Sequence, residues 1–376
     1  MPKRAYIGVA DVARKTRRVY IGVGSVARRV RKAYIGVGGV ARPWLSNELE
    51  YYGTVEPGLA NGRYRPAAVS ISNYAIFGGG EGSDYYEDTV EAFSKTLTRT
   101  DLTLRTPRGH LAAATAGNYA IFGGGVNRDF LYTSDSDAFN SSLTKTATTT
   151  LSTISYGAAS VGDYAIFAGG DTGSEHYATV MTRNSSLSYS YPTALSVARS
   201  EMASATVGGY AMFAGGNDTA STETKVVDAY NSSLTRITPE PLSVSRIYAA
   251  ATTVGGRALI GGGISEDTGE KGPTKSVDVY DSALTRISVI ELSVARSFLA
   301  ATSVGEYAIF GGGIEEYFTI ESSAVDVFNE DLTRSTATEL SIARRQLAAT
   351  SIGKFALFGG GRKGFSYSTN VDAYVS

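Results

Sequence analysis

Seven segments of the chain carry the same short hydrophobic run closed by glycines, as in SVGEYAIFGGG at 303–313. The apolar residue before the glycines is Phe77, Phe122, Phe167, Phe213, Ile260, Phe310 and Phe358, at spacings of 45, 45, 46, 47, 50 and 48. A steady period of this size marks a repeat architecture. The sixth copy shows the unit most clearly. FLAATSV alternates toward small apolar residues and predicts a strand, Gly305-Glu306 a tight turn, and YAIFGG a second strand. AVDVF predicts a third strand and LTRST a fourth, across the turn residues NED. Four short antiparallel strands form one sheet per repeat. A lone sheet cannot bury both faces, so the repeats must stack on one another.

Composition agrees with this pattern. Gly is 43 and Tyr 24 of 376 residues, and long helical stretches are missing, which suits a turn-rich all-β chain. There is no cysteine, and His110 and His176 are the only histidines, so neither metal nor triad chemistry has its usual ligands. No cofactor and no metal are expected. FGGG is not a phosphate loop, because no helix follows it. No run approaches the roughly 18 apolar residues of a membrane span, and no apolar leader segment follows the charged N-terminus. Charge is uneven: residues 1–44 hold 11 Lys/Arg against the single acid Asp11, while the rest holds 24 against 35 acids. A basic arm attached to an acidic body is the pattern of an interaction tail.

The glycine doublet after an apolar second strand, followed by an acidic-x-aromatic third strand, resembles the kelch repeat over residues 46–376. The resemblance implies a seven-bladed kelch-like β-propeller spanning 45–376. The seventh repeat stops at NVDAYVS, after its third strand, so residues 49–56 are expected to supply its fourth strand by pairing with 371–375. One departure stands out. Where the kelch fourth strand carries tryptophan, this chain has Leu143, Leu187, Leu234, Leu284 and Leu332.

Aligning the repeats exposes two charged columns. Fourteen residues before each anchor stand Arg63, Arg108, Thr153, Arg199, Arg246, Arg296 and Arg344. In strand three stand Glu91, Asp137, Met181, Asp228, Asp278, Asp326 and Asp372. The third repeat lacks both partners at once, as mutual ion pairing would produce. Two expectations follow: arginine–carboxylate pairs that lock the blades, or an arginine ring facing a ligand at the channel mouth. The connections between strands two and three vary most, and five carry aromatics: Tyr85, Tyr86, Phe130, Tyr132, Tyr177, Tyr317, Phe318, Phe365 and Tyr367. Loops on a rigid scaffold are where binding residues gather, so these are candidate contacts for a glycan or protein; the alternative is that they tuck against their own blade.

The arm repeats AYIGVADVARKTRR, VYIGVGSVARRVRK and AYIGVGGVARPW, with Tyr6, Tyr20 and Tyr34 fourteen apart. Each unit reads as strand, turn and basic strand, so hairpins with turns at Gly24-Ser25 and Gly38-Gly39 are predicted. So polar a segment should order only against a partner, with Tyr6, Tyr20, Tyr34, Arg28, Arg29 and Arg31 as its anchoring residues. The pattern resembles YIGV-x-x-VAR repeats at the N-termini of phage and prophage structural proteins. That implies a non-enzymatic virion protein of the tail or baseplate, made in the bacterial cytoplasm without a signal peptide. Other virion proteins would be its partners through residues 1–44, with its oligomeric state imposed by the assembly. A host-surface glycan or protein would meet the loops. Membrane contact is not expected, and the regular Tyr/Ile/Val patterning argues against nucleic acid as the arm's partner. An intracellular kelch-type scaffold is the alternative. A carbohydrate-active enzyme is the weaker third reading, since copper ligands and sialidase-like Asp boxes are both missing.

Overall fold

The structure is a computed structural model. It describes residues 19–23, 26–30, 32–37, 40–46, 49–83, 85–148, 157–267, 269–316 and 319–376. The chain divides into two compact units, residues 1–49 with 376 and residues 50–375. In the first unit, Val19–Val23 pairs antiparallel with Val26–Val30, and Lys32–Val37 with Val40–Ser46. Tyr20, Arg28, Arg29 and Tyr34 lie in these strands, whereas Tyr6 and Arg31 fall outside the described residues.

The second unit is all-β and propeller-like. Among the described residues it holds seven antiparallel four-stranded sheets and no helix. In the sixth repeat the strands are Ala300–Val304, Tyr307–Gly311, Val325–Asn329 and Arg334–Thr336, adjacent in sequence order. The last sheet takes its fourth strand from the start of the unit: Glu50–Thr54 pairs with Val371–Val375, Glu50 opposite Val375 and Thr54 opposite Asp372. First strands are built of small residues because each lies beside the first strands of its neighbours. Their buried positions alternate with half-buried alanines, serines and threonines facing a narrow bore. Hydroxyls in the bore are satisfied across sheets, as Ser204 Oγ donates to Ala158 O at 2.7 Å and Thr206 Oγ1 to Ser160 O at 2.6 Å.

The repeated glycines have a shared physical cause. At Gly79 and Gly80 φ is +62° and +110°, values that other residues resist. A Cβ on Gly79 would stand 2.6 Å from Arg108 O in the next sheet, and the Gly80 amide donates to that same oxygen at 3.0 Å. The doublet is therefore the joint between sheets. It recurs from Gly170 to Arg199, Gly216 to Arg246, Gly263 to Arg296 and Gly313 to Arg344, and the last repeat meets the first through Gly361 N and Arg63 O at 2.8 Å. The fully buried anchors fill the same seam: Phe122 seats on Gly78 of the preceding sheet, and Phe77 on Gly359 of the last. Burying one such ring contributes about 2–3 kcal/mol.

The leucine column differs from its expected place. Leu143, Leu187, Leu234, Leu284 and Leu332 stand in the turn before strand four, at φ near +60°, and not in the strand. Asn140, Asn184, Asn231, Asp281 and Asn329 accept two backbone N–H groups each and set that turn. The leucines still pack between neighbouring sheets.

Candidate functional site at the channel mouth

The arginine column is buried at 0–1% exposure. Each guanidinium meets the carboxylate of its own repeat: Arg108–Asp137 at 2.8 Å, Arg199–Asp228 at 2.8 Å, Arg246–Asp278 at 2.5 Å, Arg296–Asp326 at 2.7 Å and Arg344–Asp372 at 2.8 Å, with Arg63–Glu91 likewise paired. The same groups also donate to backbone carbonyls at and before the glycine joint, as Arg344 Nε does to Gly360 O at 2.7 Å and Nη2 to Phe358 O at 3.0 Å. The other carboxylate oxygen typically accepts the backbone N–H of the segment leading into strand one, for example Ser293 N to Asp326 at 2.9 Å. Of the two expectations, the ion pair is the one that describes this geometry. A guanidinium without accessible surface offers nothing to a ligand. In the third repeat Met181 is buried among alanines and Phe167, and Thr153 lies outside the described residues.

Two residues further along stands, in the six repeats where that position is described, a column that no motif marks: Arg65, His110, Glu201, Tyr248, Phe298 and Gln346. All six have φ between +51° and +57°. Non-glycine residues adopt that region at a cost of about 1–2 kcal/mol each. They sit just before the first strands, on the face that bears the variable loops, and line a cavity of about 210 Å³ at the mouth of the bore. Their peptide groups form a rim, with Arg65 N donating to Gln346 O at 2.8 Å, Gln346 N to Phe298 O at 2.9 Å and Phe298 N to Tyr248 O at 3.1 Å. The backbone of the mouth is thus tied from sheet to sheet along the arc from Tyr248 through Phe298 and Gln346 to Arg65, and all six positions share one φ while their side chains differ.

One side of the mouth is polar. Arg65 Nη1 lies 2.7 Å from His110 Nδ1, and His110 Nε2 lies 2.5 Å from Glu81 Oε1, whose second oxygen accepts the Tyr64 hydroxyl. These contacts are consistent with Nε2 carrying the His110 proton and Nδ1 accepting from Arg65. Desolvation pushes the Glu81 carboxyl up, but the hydrogen bonds from His110 and Tyr64 outweigh it and hold the group below the usual carboxylate range. Above this network Tyr64 stacks on Tyr367 at 5.6 Å, with the Arg362 guanidinium 4.5 Å from the Tyr64 ring. Burial pushes the Glu201 carboxyl up, against the pull of Arg65 and His110. The other side is aromatic: Tyr248 and Phe298 stack at 4.0 Å. Gln346 is 8% exposed, and its Oε1 is buried without a hydrogen-bond partner. Among the described residues no group of three or more His, Asp or Glu side chains is arranged to hold a metal ion.

The loops are pinned to this rim. Glu81–Gly82 pairs both with Tyr85–Tyr86 and with Arg63–Tyr64, and bridges such as Ile247–Ile264 and Arg345–Arg362 repeat the arrangement elsewhere. Their aromatics divide accordingly. Tyr86 is buried over Gly109, Tyr132 and Tyr177 are half-buried, and Tyr367 rests on Tyr64. Tyr85 and Phe130 are exposed and meet edge to face at 5.7 Å, with Leu131 exposed beside them. Phe365 stands free at 96% exposure. Tyr317 and Phe318 fall outside the described residues.

No family model matches the chain, and no curated protein matches it. Among solved structures it is similar to YjhT, at 12% sequence identity and a TM-score of 0.59, over 76% of this chain and 100% of that one. At that identity the likeness bears on fold alone.

Proposed function

We propose that the protein is a virion recognition module. Its body is a seven-bladed β-propeller closed by Glu50–Thr54, its loop-bearing face takes up a host-surface ligand, and its N-terminal repeats attach it to other proteins of a phage tail or baseplate. The recognition reading rests on one observation. At the mouth, repeats that keep their arginine, glycines and anchors diverge to Arg65, His110, Glu201, Tyr248, Phe298 and Gln346 on a common backbone. Side chains that differ on one shared backbone around a concave mouth are what a binding surface on a repetitive scaffold requires. Attachment rests on the 14-residue repeats of residues 1–44 and their likeness to phage structural proteins. The position of Glu50 supports it, because the chain enters the body beside Val375, on the short-turn face away from the mouth.

Two measurements test this. Particles assembled with a chain lacking residues 1–44 should not contain the protein, and the purified full chain should decorate host cells. Incorporation of the shortened chain would remove the attachment assignment, and failure to bind cells would remove recognition. The scaffold alternative draws on the exposed Tyr85, Phe130 and Leu131 cluster, which suits a protein partner. It gains if Tyr85→Ala with Phe130→Ala abolishes cell binding while mouth substitutions leave it intact.

A further inference from the structure

The mouth has a chemistry of its own, and it narrows the ligand. One acceptor there has no donor. No donor among the described residues reaches the half-buried Glu201 carboxyl, whereas Gln346 Oε1 has no accessible surface and lies out of a ligand's reach. A carboxylate without a protein donor is open to a hydroxyl or an N–H from outside. Arg65 commits one guanidinium nitrogen to His110, and its remaining N–H groups meet no acceptor among the described residues. Across from these stand the stacked rings of Tyr248 and Phe298.

A ligand that satisfies this set must carry hydroxyls along one edge, serving as donors to Glu201 and as acceptors from Arg65. It must also present an apolar face to the rings. Its size is limited, since about 210 Å³ falls below the roughly 300 Å³ at which pockets for drug-sized ligands begin. The bore beneath is lined by alanine, serine and threonine that already bond one another, so it supplies no further charged contact. The arc from Tyr248 to Arg65 is held by peptide hydrogen bonds, so that side of the site is formed before the ligand arrives.

We infer that the channel mouth between Arg65, Glu201 and Tyr248 binds a single sugar ring at the end of a glycan chain, its C–H face on Tyr248 and its hydroxyl edge on Glu201 and Arg65. This rests on the recognition reading and moves the contact from the loop aromatics to the mouth. Its proper probe is a panel of methyl glycosides (gluco, galacto, N-acetylgluco, N-acetylgalacto, manno and rhamno), read by ligand-observed NMR and calorimetry on the full chain. At least one should bind, and Glu201→Ala and Arg65→Ala should each weaken it by about ten-fold or more, the effect of a lost hydrogen bond to a charged group. Glu201→Gln keeps shape and serves as the second variant should either fail to fold; it should weaken binding in the same direction. Tyr85→Ala with Phe130→Ala should leave glycoside binding unchanged.

Absence of binding across the panel would overturn the inference, as would glycoside binding that the mouth variants do not reduce. Preference for methylammonium over every glycoside would also overturn it, by showing that the rings and Glu201 select a cation. Cell decoration distinguishes the two levels. Cells bound while no glycoside binds sinks the sugar and keeps recognition, whereas glycosides bound without any cell binding sinks recognition and keeps the site.

Discussion

Arg63 and Arg65 are two residues apart, as are Arg108 and His110, or Arg344 and Gln346. Yet the columns they begin behave in opposite ways. The first is nearly uniform, fully buried and joined to a carboxylate in its own sheet. The second has a different side chain at every described position, on a backbone held in one conformation. Repetition preserves what every sheet needs in order to meet its neighbour. It releases only what the scaffold does not use, and that release is where specificity can be written.

The contrast can be broken hardest at Arg108. Arg108→Ala leaves Asp137 buried without a cation, and we expect a loss of about 3–5 kcal/mol in chemical denaturation. Pairing Arg108→Thr with Asp137→Met copies the third repeat and should recover most of that loss. A double change no more stable than Arg108→Ala would show that the third repeat owes its tolerance to something other than the absence of both partners. Next in size is the joint between sheets. Gly215→Ala puts a methyl 2.5 Å from Arg246 O and should cost well over the roughly 1–2 kcal/mol of a left-handed alanine alone, which is the expected cost of Gly256→Ala, where the space is open. Equal melting losses for the two would refute the joint.

The mouth column should give smaller effects with a characteristic pH signature. Burial raises the Glu201 pKa above its unfolded value, so folding favours the acid form. The native state therefore loses stability as pH rises from the unfolded pKa through the folded one. Glu201→Gln should melt with the wild type near about pH 4 and above it near about pH 8, the sign expected from linkage. A variant that melts below wild type at the higher pH would mean that the carboxylate has a stabilising partner. Smallest of all is Phe365→Ala: at 96% exposure the ring supports nothing in the fold, and the melting temperature should not move.

Much of this was legible in the sequence. The period, the four strands, the glycine doublet and the coordinated loss of Arg and Asp at Thr153 and Met181 follow from alternation and spacing. The mouth was not legible in the same way, because a column of Arg, His, Glu, Tyr, Phe and Gln matches no motif. The signal was present in inverse form, as a position two residues past a nearly uniform arginine column where the repeats disagree. What no alignment of repeats could supply was the backbone: left-handed φ at non-glycine residues carries no fixed residue type, yet it turns these side chains into the mouth. The leucines misled for a related reason. A hydrophobic residue next to a strand reads as part of it, and only the Asn140-type turn hydrogen bonds place Leu143 outside.

The strand Glu50–Thr54 has a mechanical consequence. Its partner is Val371–Val375, and Glu50 lies directly opposite Val375. A pull between those two residues would open the pairing like a zipper, one hydrogen bond after another. A pull on the chain at Glu50 resisted at the mouth runs along the strand instead, so that its hydrogen bonds to Asp372, Ala373, Tyr374 and Val375 share the load in shear. A body tethered through its first strand and gripped at its far face would meet force in the direction in which it yields least.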